Sequence, residues 1–376
     1  MTANGASAQS RAPDAAFWRG RRVLLTGHTG FKGAWMSLWL NALGAEVWGY
    51  ALPPAGQPNL WDIVGAAALG GGPRQARGAS RSVMADIRDP ERLLEEAARA
   101  DPNIVIHMAA QALVPESYRD PLGTFATNVM GTAALLQACR SLPHLQCVIV
   151  VTSDKVYENH GEGRAFGEGD RLGGEDPYSS SKACAELLTS SLRRSFFAAG
   201  PPVATVRAGN VIGGGDWSQD RLIPDCMRAI ELGHPVNLRY PDAVRPWQHV
   251  LEPLSGYLAL AQGLVEAPRE TPRAVNFGPD PASFCTVREV VDAFASRFGG
   301  RPRWLRDSQP QPPEAQALAL SSALARRAFG WRPRLDIASS LSWTADWYSA
   351  YSAGENMVAF SEVQIARYRD LMNQPP

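Results

Sequence analysis

The sequence predicts an α/β protein with a doubly wound parallel sheet and a smaller C-terminal domain. Three observations indicate this fold: short apolar strands alternate with helical stretches from Phe17 to Ile212, a glycine-rich turn follows the first strand, and the alternation stops beyond Ile212, where proline becomes frequent. A chain of 376 residues is long enough for two coupled domains, at about 150 residues per domain.

Each predicted strand is a short apolar run, and each predicted helix carries apolar residues at helical spacing. The strands are Arg22–Thr26, Glu46–Tyr50, Ser82–Asp86, Asn103–Met108, Cys147–Thr152 and Val203–Arg207. The helices are Phe31–Leu43, which stops at Gly44, and the stretches 90–100, 121–140 and 178–198. Strands and helices that alternate at this spacing predict helices on both faces of a parallel sheet.

The predicted domains follow from where this alternation begins and ends. Residues 1–16 are rich in Ala, Ser and Gly and have no apolar run, so we expect a disordered tail without a secretion signal, on a cytoplasmic protein. Residues 17–212 form the sheet domain, and about 248–279 return to it. A substrate-binding domain takes about 213–247 and 280–376.

The composition excludes several classes of protein. Thirty-seven basic and 37 acidic residues give a net charge of zero, so we expect neither nucleic acid nor a membrane surface as a partner. No apolar run approaches the roughly 18 residues of a membrane span. Five cysteines without a CxxC pair or a His at zinc-ligand spacing predict buried thiols in a reducing compartment, and no metal site.

The glycine-rich turn lies between the first strand and the first helix. Gly27, Gly30 and Gly33 let the backbone come close to a pyrophosphate at the helix start, which predicts a dinucleotide site. The second strand is followed by neither an acid nor an arginine, and we favour NAD over NADP. Asp86 and Ile87, at the end of a later strand, border the adenine in this interpretation; the alternative is an acid that caps a turn.

Only three of the 37 basic residues are lysine, and each falls inside a motif: Lys32, Lys155 and Lys182. Tyr178 and Lys182 are four residues apart, so on a helix they share one face. For a phenol to act as a base near neutral pH, its pKa must fall by about three units, or roughly 4 kcal/mol. A nearby ammonium and an oxidised nicotinamide ring both act in that direction. The pair predicts a phenol that can act as a base; an innocent pair on the helix surface is the alternative.

An acid and an amine stand side by side after the fifth strand, in the segment Thr152-Ser-Asp-Lys155. Asp154 and Lys155 are a general acid and a general base if the carboxyl is protonated and the amine is neutral; a plain surface ion pair is the alternative. Successive strand residues point to opposite faces, so both can serve only if the strand ends at about Thr152 and the chain bends.

The chain resembles the extended short-chain dehydrogenases/reductases, which have a Rossmann fold, and among them the nucleotide-sugar 4,6-dehydratases that act on CDP-glucose. The resemblance runs from about Phe17 to the last helix, and Lys155, where related dTDP-glucose dehydratases carry Glu, marks the CDP-glucose group. Pro115 departs from the pattern, which has Arg there. The stretches that carry the resemblance are Gly27-His-Thr-Gly-Phe-Lys-Gly33, Thr152-Ser-Asp-Lys155, Asp176-Pro-Tyr-Ser-Ser-Ser-Lys182, Gly209-Asn-Val-Ile-Gly-Gly-Gly-Asp-Trp217 and Arg245-Pro-Trp-Gln-His-Val-Leu-Glu252.

The resemblance implies a set of residues for each role, with NAD as cofactor, a nucleotide sugar as substrate and a homodimer or homotetramer as assembly. The implied catalytic residues are Thr152, Asp154, Lys155, Tyr178 and Lys182. The implied cofactor-binding residues are Gly27, His28, Gly30, Phe31, Lys32, Gly33, Asp86, Ile87, Ala109, Tyr178 and Lys182. The implied substrate contacts are Asn210, Arg221 and Arg245.

The implied reaction converts CDP-D-glucose to CDP-4-keto-6-deoxyglucose, with loss of water and internal recycling of NAD. Tyr178 takes the proton of the 4-hydroxyl, to which Thr152 is hydrogen-bonded, while hydride leaves C4. Lys155 removes the C5 proton, Asp154 protonates the departing 6-hydroxyl, and hydride returns to C6. Alternatives are the dehydratase of another nucleotide sugar, a 4-epimerase, which has no use for Asp154 and Lys155, and a nicotinamide-sensing binding protein, which usually lacks the Tyr and Lys pair.

Overall fold

The structure is a computed structural model that describes residues 12–68, 81–161, 163–299, 304–307 and 318–374. The strands are β1 (Arg22–Thr26), β2 (Glu46–Ala51), β3 (Arg81–Met84), β4 (Ile104–His107), β5 (Cys147–Val151), β6 (Ala165–Phe166), β7 (Val203–Arg207), β8 (Val211–Ile212), β9 (Val236–Leu238), β10 (Val244–Pro246), β11 (Gln248–His249), β12 (Ala274–Asn276), β13 (Phe284–Thr286), β14 (Trp304–Arg306) and β15 (Ala319–Leu320).

The helices are α1 (Ala15–Trp18), α2 (Phe31–Ala42), α3 (Leu60–Ala68), α4 (Pro90–Ala100), α5 (Val114–Arg119), α6 (Pro121–Phe125), α7 (Gly131–Cys139), α8 (Pro177–Phe196), α9 (Leu222–Leu232), α10 (Leu251–Glu266), α11 (Val287–Ala295), α12 (Ala323–Phe329), α13 (Ile337–Ser352) and α14 (Met357–Asn373). No described helix is both long enough and apolar enough to cross a bilayer.

Seven of the described strands form one parallel sheet in the order β12-β7-β5-β4-β1-β2-β3. Every residue of β4, β5 and β7 is buried, because helices cover both faces of the sheet. The predicted fold class is confirmed. The order reverses between β1 and β4, so the carboxyl ends of the strands open there into the crevice where ligands bind in such sheets.

The helix predicted over 121–140 is broken in the structure. It consists of α6, a single π-helical segment at Ala126–Met130, and α7. A π-helical segment inserts an extra residue, so it shifts the face that the following helix presents. Apolar spacing at a period of 3.6 residues does not reveal such an insertion.

The C-terminal part of the chain packs back on the sheet domain. β12, in the segment 248–279, pairs with β7 at the edge of the sheet. α14 lies against α2, where the rings of Trp39 and Tyr368 are 5.7 Å apart. The buried apolar residues of the sheet's α2 side and of the C-terminal helices form one continuous core.

The first described residues differ from the predicted tail of 1–16, of which residues 1–11 lie outside the described part. Asp14 caps α1 by accepting a hydrogen bond from the backbone N–H of Ala16, and the apolar side chains of this helix join the core. The backbone N–H of Ala12 donates to Oδ1 of Asn373 at 3.4 Å. Residues 12–16, which we predicted to belong to the tail, are therefore part of the described fold and lie beside the end of α14.

Candidate active site

The turn between β1 and α2 leaves no space for a side chain at Gly27 or at Gly33. Gly27 has a φ of +74°, and a Cβ there would stand 2.6 Å from the backbone nitrogen of Ala109. A Cβ on Gly33 would overlap the carbonyl oxygen of Gly27. Gly30 precedes α2 and offers no side-chain cap, so the first N–H groups of the helix are left for a ligand. The turn fits the pyrophosphate of a dinucleotide.

His28 is buried beside this turn. Its Nε2 is 2.7 Å from Oγ of Ser82, and its ring meets the ring of Trp61 edge to face, with centroids 4.6 Å apart. Burial lowers the pKa of His28 to about 4, so the ring is neutral at physiological pH. The implied cofactor residue His28 therefore contributes packing under the loop, without a positive charge.

Three other implied cofactor residues, Ala109, Asp86 and Ile87, lie just beyond the carboxyl ends of strands. Ala109 follows β4 and closes over Gly27. Asp86 follows β3; Arg88 hydrogen-bonds its carboxylate and holds its pKa below the ordinary value. The side chain of Ile87 is buried, and a Cβ on Gly131 would stand 2.7 Å from it.

Lys32 extends away from the glycine turn toward α10. Its Nζ donates to the hydroxyl of Tyr257 at 3.1 Å. Burial, together with the positive charges of Arg221 and Lys182, lowers the pKa of Lys32 to about 7, while Asp154 acts in the opposite direction. These interactions place the Lys32 amine among the predicted catalytic groups.

Tyr178 and Lys182 lie in the first turns of α8, which Asp176 caps. Nζ of Lys182 donates to the carbonyl oxygen of Val151 at 3.1 Å, and burial lowers its pKa to about 8. Burial raises the pKa of Tyr178 to about 12, although a hydrogen bond with Ser153 partly offsets this. In the protein by itself the phenol therefore keeps its proton.

The chain bends directly after β5, as the catalytic use of both Asp154 and Lys155 requires. The strand ends at Val151, and a 3₁₀ turn spans Asp154–Val156. Ser153, in extended conformation, accepts from the backbone N–H of Lys155 at 3.2 Å and donates to Oδ1 of Asp154 at 3.0 Å.

The Thr152 hydroxyl, expected to bond the sugar, has its hydrogen-bond partners within the protein. The Thr152 hydroxyl is buried and donates to Oε1 of Glu186 at 2.6 Å and to the carbonyl oxygen of Val206 at 3.1 Å. The neighbouring hydroxyl of Ser153 is the one bonded to Tyr178. The strand ends one residue earlier than expected, so Ser153 takes the position in the crevice.

Asp154 is 3% exposed and faces the loop after β7, where a Cβ on Gly209 would overlap its carboxyl group. Burial raises its pKa, against the attraction of Lys155 and Arg245. Its Oδ2 has no hydrogen-bond partner among the described residues. A buried carboxyl with a free oxygen is suited to hold a proton and to donate it to a ligand. Lys155, beside it, is half-buried.

The implied substrate residues lie around the same crevice. Asn210 has a φ of +49°, and its carbonyl oxygen accepts from the backbone N–H of Gln248 at 3.2 Å. Nη1 of Arg221 is 3.0 Å from Oδ2 of the buried Asp216, and the Arg221 charge acts on both Tyr178 and Lys32. Arg245 is buried, and its charge acts on Asp154.

Sequence reasoning missed four residues here: Ser153, Glu186, Arg207 and Tyr257. Glu186 could have been found from the sequence, because it lies four residues beyond Lys182 and therefore on the same face of α8. Tyr257 had none, because nothing in its sequence context indicates that α10 crosses the crevice. Among the described residues no group of three or more potential ligand side chains could hold a metal ion.

Comparison with known proteins places this site in a family. Residues 23–278 match the NAD dependent epimerase/dehydratase family. Over 361 residues the chain is 44% identical to the CDP-glucose 4,6-dehydratase of Salmonella typhimurium, covering 94% of this chain and 98% of the relative. It is 29% identical to the dTDP-glucose 4,6-dehydratase of Xanthomonas campestris pv. campestris, covering 71% of this chain and 78% of that protein.

Solved structures share the fold. The dTDP-glucose 4,6-dehydratase of Streptomyces venezuelae, with NAD and TYD bound, has a TM-score of 0.74 at 24% identity, covering 90% of this chain and 99% of that one. The UDP-glucose-4-epimerase of Stenotrophomonas maltophila has a TM-score of 0.75 at 24% identity, covering 89% and 99%. With the family match over most of its length, this chain belongs to the NAD dependent epimerase/dehydratase family.

Proposed function

We propose that this chain is an NAD-dependent CDP-glucose 4,6-dehydratase, a lyase that forms CDP-4-keto-6-deoxyglucose and water. One observation carries the proposal: the buried carboxyl of Asp154, with a raised pKa and a free oxygen, lies beside the Tyr178 phenol. Elimination of water needs an acid beyond the tyrosine. The 44% identity to the CDP-glucose 4,6-dehydratase of Salmonella typhimurium supports the same reaction and substrate.

The residues of the β1–α2 turn fit NAD. Gly27, Gly30 and Gly33 hold its pyrophosphate, and Asp86 and Ile87 lie at the strand edge where we place the adenosine. Bound NAD would supply the acceptor for hydride from C4 of the sugar and the donor for its return to C6. The cofactor is therefore unchanged at the end of each turnover.

Tyr178 is the base for the 4-hydroxyl in this proposal, and Ser153 is the second hydroxyl at the same oxygen. The raised pKa of Tyr178 must fall before it can accept a proton, and positive charge nearby lowers it. The Lys182 ammonium, one helical turn away, supplies part of that charge. The oxidised nicotinamide ring supplies the rest, which restricts proton transfer to the loaded enzyme.

Asp154 and Lys155 carry out the elimination. Once C4 is a ketone, the proton on C5 is acidic, and Lys155 takes it as general base. Asp154 gives its proton to the departing 6-hydroxyl, which leaves as water. The Lys155 ammonium then returns a proton to C5 as hydride reaches C6. Arg221 and Arg245 supply charge-assisted hydrogen bonds to the diphosphate and the sugar, and Asn210 contacts the sugar from the loop after β7.

The main rival is a nucleotide-sugar 4-epimerase, which shares the fold and the Tyr178–Lys182 pair. An epimerase returns hydride to C4 and has no role for a protonated carboxyl at C6. A dehydratase of another nucleotide sugar is the second rival, and the higher identity to the CDP-glucose enzyme of Salmonella typhimurium than to the dTDP-glucose enzyme of Xanthomonas campestris argues against it.

The test is incubation of the NAD-loaded protein with CDP-, dTDP-, UDP- and GDP-glucose, followed by mass spectrometry. We expect a product lighter by one water from CDP-glucose. Unchanged mass with all four substrates rejects a dehydratase, and unchanged mass with an inverted C4 centre, read by NMR, supports the epimerase. Lys155→Met should retain NAD binding yet stop the loss of water.

We also propose that the protein is a cytoplasmic homo-oligomer. All five cysteines are free thiols, as suits a reducing compartment.

Three apolar side chains are exposed on neighbouring segments: Leu122 on α6, Met130 on the π-helical segment and Leu187 on α8. Exposed apolar side chains on adjoining helices are typical of a subunit interface, and we place a homodimer contact there. Sedimentation of Leu187→Asp, expected to be monomeric, tests it.

A further inference from the structure

Glu186 lies beneath the crevice with all its hydrogen-bonding capacity used. Its Oε1 accepts from the hydroxyl of Thr152 at 2.6 Å and from Nε of Arg207 at 2.8 Å. Its Oε2 accepts from the hydroxyl of Thr205 at 2.7 Å and from Nη2 of Arg207 at 2.8 Å. All four residues are buried. A buried ion pair is a poor source of stability, because its desolvation cost offsets its attraction. The position of the Glu186–Arg207 ion pair beneath the crevice therefore indicates a role other than stabilisation of the fold.

The remaining nitrogen of Arg207 extends the network toward the edge of the sheet. Nη1 donates to the hydroxyl of Tyr157 at 2.6 Å, and Tyr157 donates to Oδ1 of Asn276 at 2.7 Å. The guanidinium also lies 5.0 Å from the centre of the Tyr157 ring. Tyr157 is thus fixed both by its hydroxyl and by its ring.

Thr152 and Tyr157 flank the turn that carries Ser153, Asp154 and Lys155. One flank is bonded to Glu186 and the other to Arg207, so a single ion pair fixes both ends of the turn. Glu186 is also one helical turn beyond Lys182 on α8. The same carboxylate therefore ties the helix of the hydride-transfer residues to the turn of the elimination residues.

The geometry points to Glu186 and Arg207 as positioning residues that set the distance between the Tyr178–Lys182 helix and the Asp154–Lys155 turn, so that one bound sugar meets both. This inference rests on the proposed dehydratase reaction, in which oxidation at C4 and elimination across C5 and C6 follow each other without release. Neither residue is placed to touch the sugar itself.

Loss of the Glu186–Arg207 ion pair should slow the elimination of water much more than the oxidation at C4. In Glu186→Gln the carboxylate charge is gone and Arg207 is left unbalanced, so the turn loses its fixed position relative to α8. A displacement of about 1 Å at a reacting group costs roughly 10²-fold in rate. We expect oxidation at C4 to continue within about tenfold of the wild-type rate while elimination slows by about 10²-fold. Reduced cofactor then accumulates during turnover.

The experiment mixes NAD-loaded enzyme rapidly with CDP-glucose in deuterated water. It follows the absorbance of the reduced nicotinamide, and by mass spectrometry the deuterium at C5 and the loss of water. The matched control is Glu252→Gln, which makes the same substitution at another buried glutamate, one that is bonded to the backbone N–H groups of Arg334 and Leu335 and to the hydroxyl of Tyr368. We expect accumulation of reduced cofactor in Glu186→Gln but not in wild type or Glu252→Gln.

The outcomes separate this inference from the proposed function. If wild type removes water from no nucleotide sugar, the proposed function fails and this inference fails with it. If wild type is active and Glu186→Gln slows both steps equally, as a smaller folded fraction would, the pair is merely structural and only this inference falls. Tyr157→Phe removes a single hydroxyl of the network and serves if Glu186→Gln does not fold; it should show the same accumulation at a lower level.

Discussion

At the scale of single residues, Asp154 combines a catalytic role with a cost in stability. We expect Asp154→Asn to bind NAD and sugar but to lose about 10²–10⁴-fold in the rate of water loss, because an amide has no proton to give the 6-hydroxyl. Reduced cofactor should accumulate. Water loss at an undiminished rate would contradict the assignment of Asp154 as the acid.

The same variant, Asp154→Asn, should have a higher free energy of unfolding than the wild type, although it is less active. The folded protein holds the Asp154 proton more tightly than the unfolded chain, whose ordinary pKa is 3.8. The free energy of unfolding of the wild type therefore falls as the pH rises above that value, and the neutral amide escapes this loss. Urea unfolding at neutral pH should show Asp154→Asn to be the more stable protein, with the difference shrinking toward pH 4.

The reaction rate should depend on the hydroxyl of Ser153, which faces the substrate, and much less on that of Thr152. We expect Ser153→Ala to lower kcat by about 10²-fold or more. The midpoint of thermal unfolding should also fall, because the Lys155 N–H and the Asp154 carboxyl lose a hydrogen-bond partner. Ser153→Thr keeps a hydroxyl and should retain most activity. Thr152→Ser, which keeps the bond to Glu186, is the matched control and should be nearly as active as wild type. Equal loss in Ser153→Ala and Thr152→Ser would contradict the placement.

The sequence could place the site here to within one residue. Both hydroxyls follow an apolar strand, and side chains alternate between faces along it, so the identity of the group in the crevice depends on where the strand ends. That end is set by the buried bond from Thr152 to Glu186, a partner 34 positions away in the sequence. The apolar pattern of β5 contains no information about it.

At the scale of elements, the β1–α2 turn uses its glycines for different purposes. A Cβ on Gly33 would overlap the backbone of Gly27, whereas a Cβ on Gly30 would find its nearest neighbour at 3.4 Å, an ordinary contact. Gly33→Ala should therefore destabilise the cofactor-free protein by about 1–3 kcal/mol. Gly30→Ala should leave that stability within about 0.5 kcal/mol and weaken NAD binding, because its methyl group faces the pyrophosphate.

Urea unfolding without cofactor and calorimetric titration with NAD check these two variants together. Stable cofactor-free Gly33→Ala, or tight NAD binding by Gly30→Ala, would contradict this division.

The β1–α2 turn itself was predictable because the glycine spacing, the strand before it and the helix after it all indicate the same structure. The π-helical segment after α6 was not, because an extra residue inside a helix leaves the apolar spacing on either side intact.

At the scale of the whole molecule, Glu252 joins α10 to the C-terminal segment. Its carboxylate accepts from the backbone N–H groups of Arg334 and Leu335 and from the hydroxyl of Tyr368. Burial raises its pKa from 4.5 to about 7. The folded protein therefore holds a proton that the unfolded chain has released between these pH values.

This difference makes the contact sensitive to pH. The free energy of unfolding should fall by roughly 3 kcal/mol as the pH rises from about 4.5 to about 7, and no further above that. Glu252→Gln should abolish this part of the pH dependence without changing the ratio of the two catalytic steps. Urea unfolding of both proteins across this range is the measurement; parallel pH profiles would contradict the assignment to Glu252.

The tertiary role of α14 could not be predicted. Its own sequence gives a helix, but the contact of Tyr368 with Trp39 joins residues that are far apart in the chain, and no local pattern pairs them. Six of the seven strands of the sheet were predictable because each coincides with an apolar run of its own, whereas β12, with three residues, does not stand out in the sequence. How the C-terminal segment covers that sheet depends on the shapes of both surfaces at once.

The hydrogen bond between Ala12 and Asn373 brings the two ends of the described chain to one point on the surface. A short peptide linker between these residues would close the backbone into a ring, and cutting that ring at an exposed loop would give a circular permutant with the same internal contacts. The order in which the segments follow one another along the backbone is thus not fixed by the packing of the finished molecule.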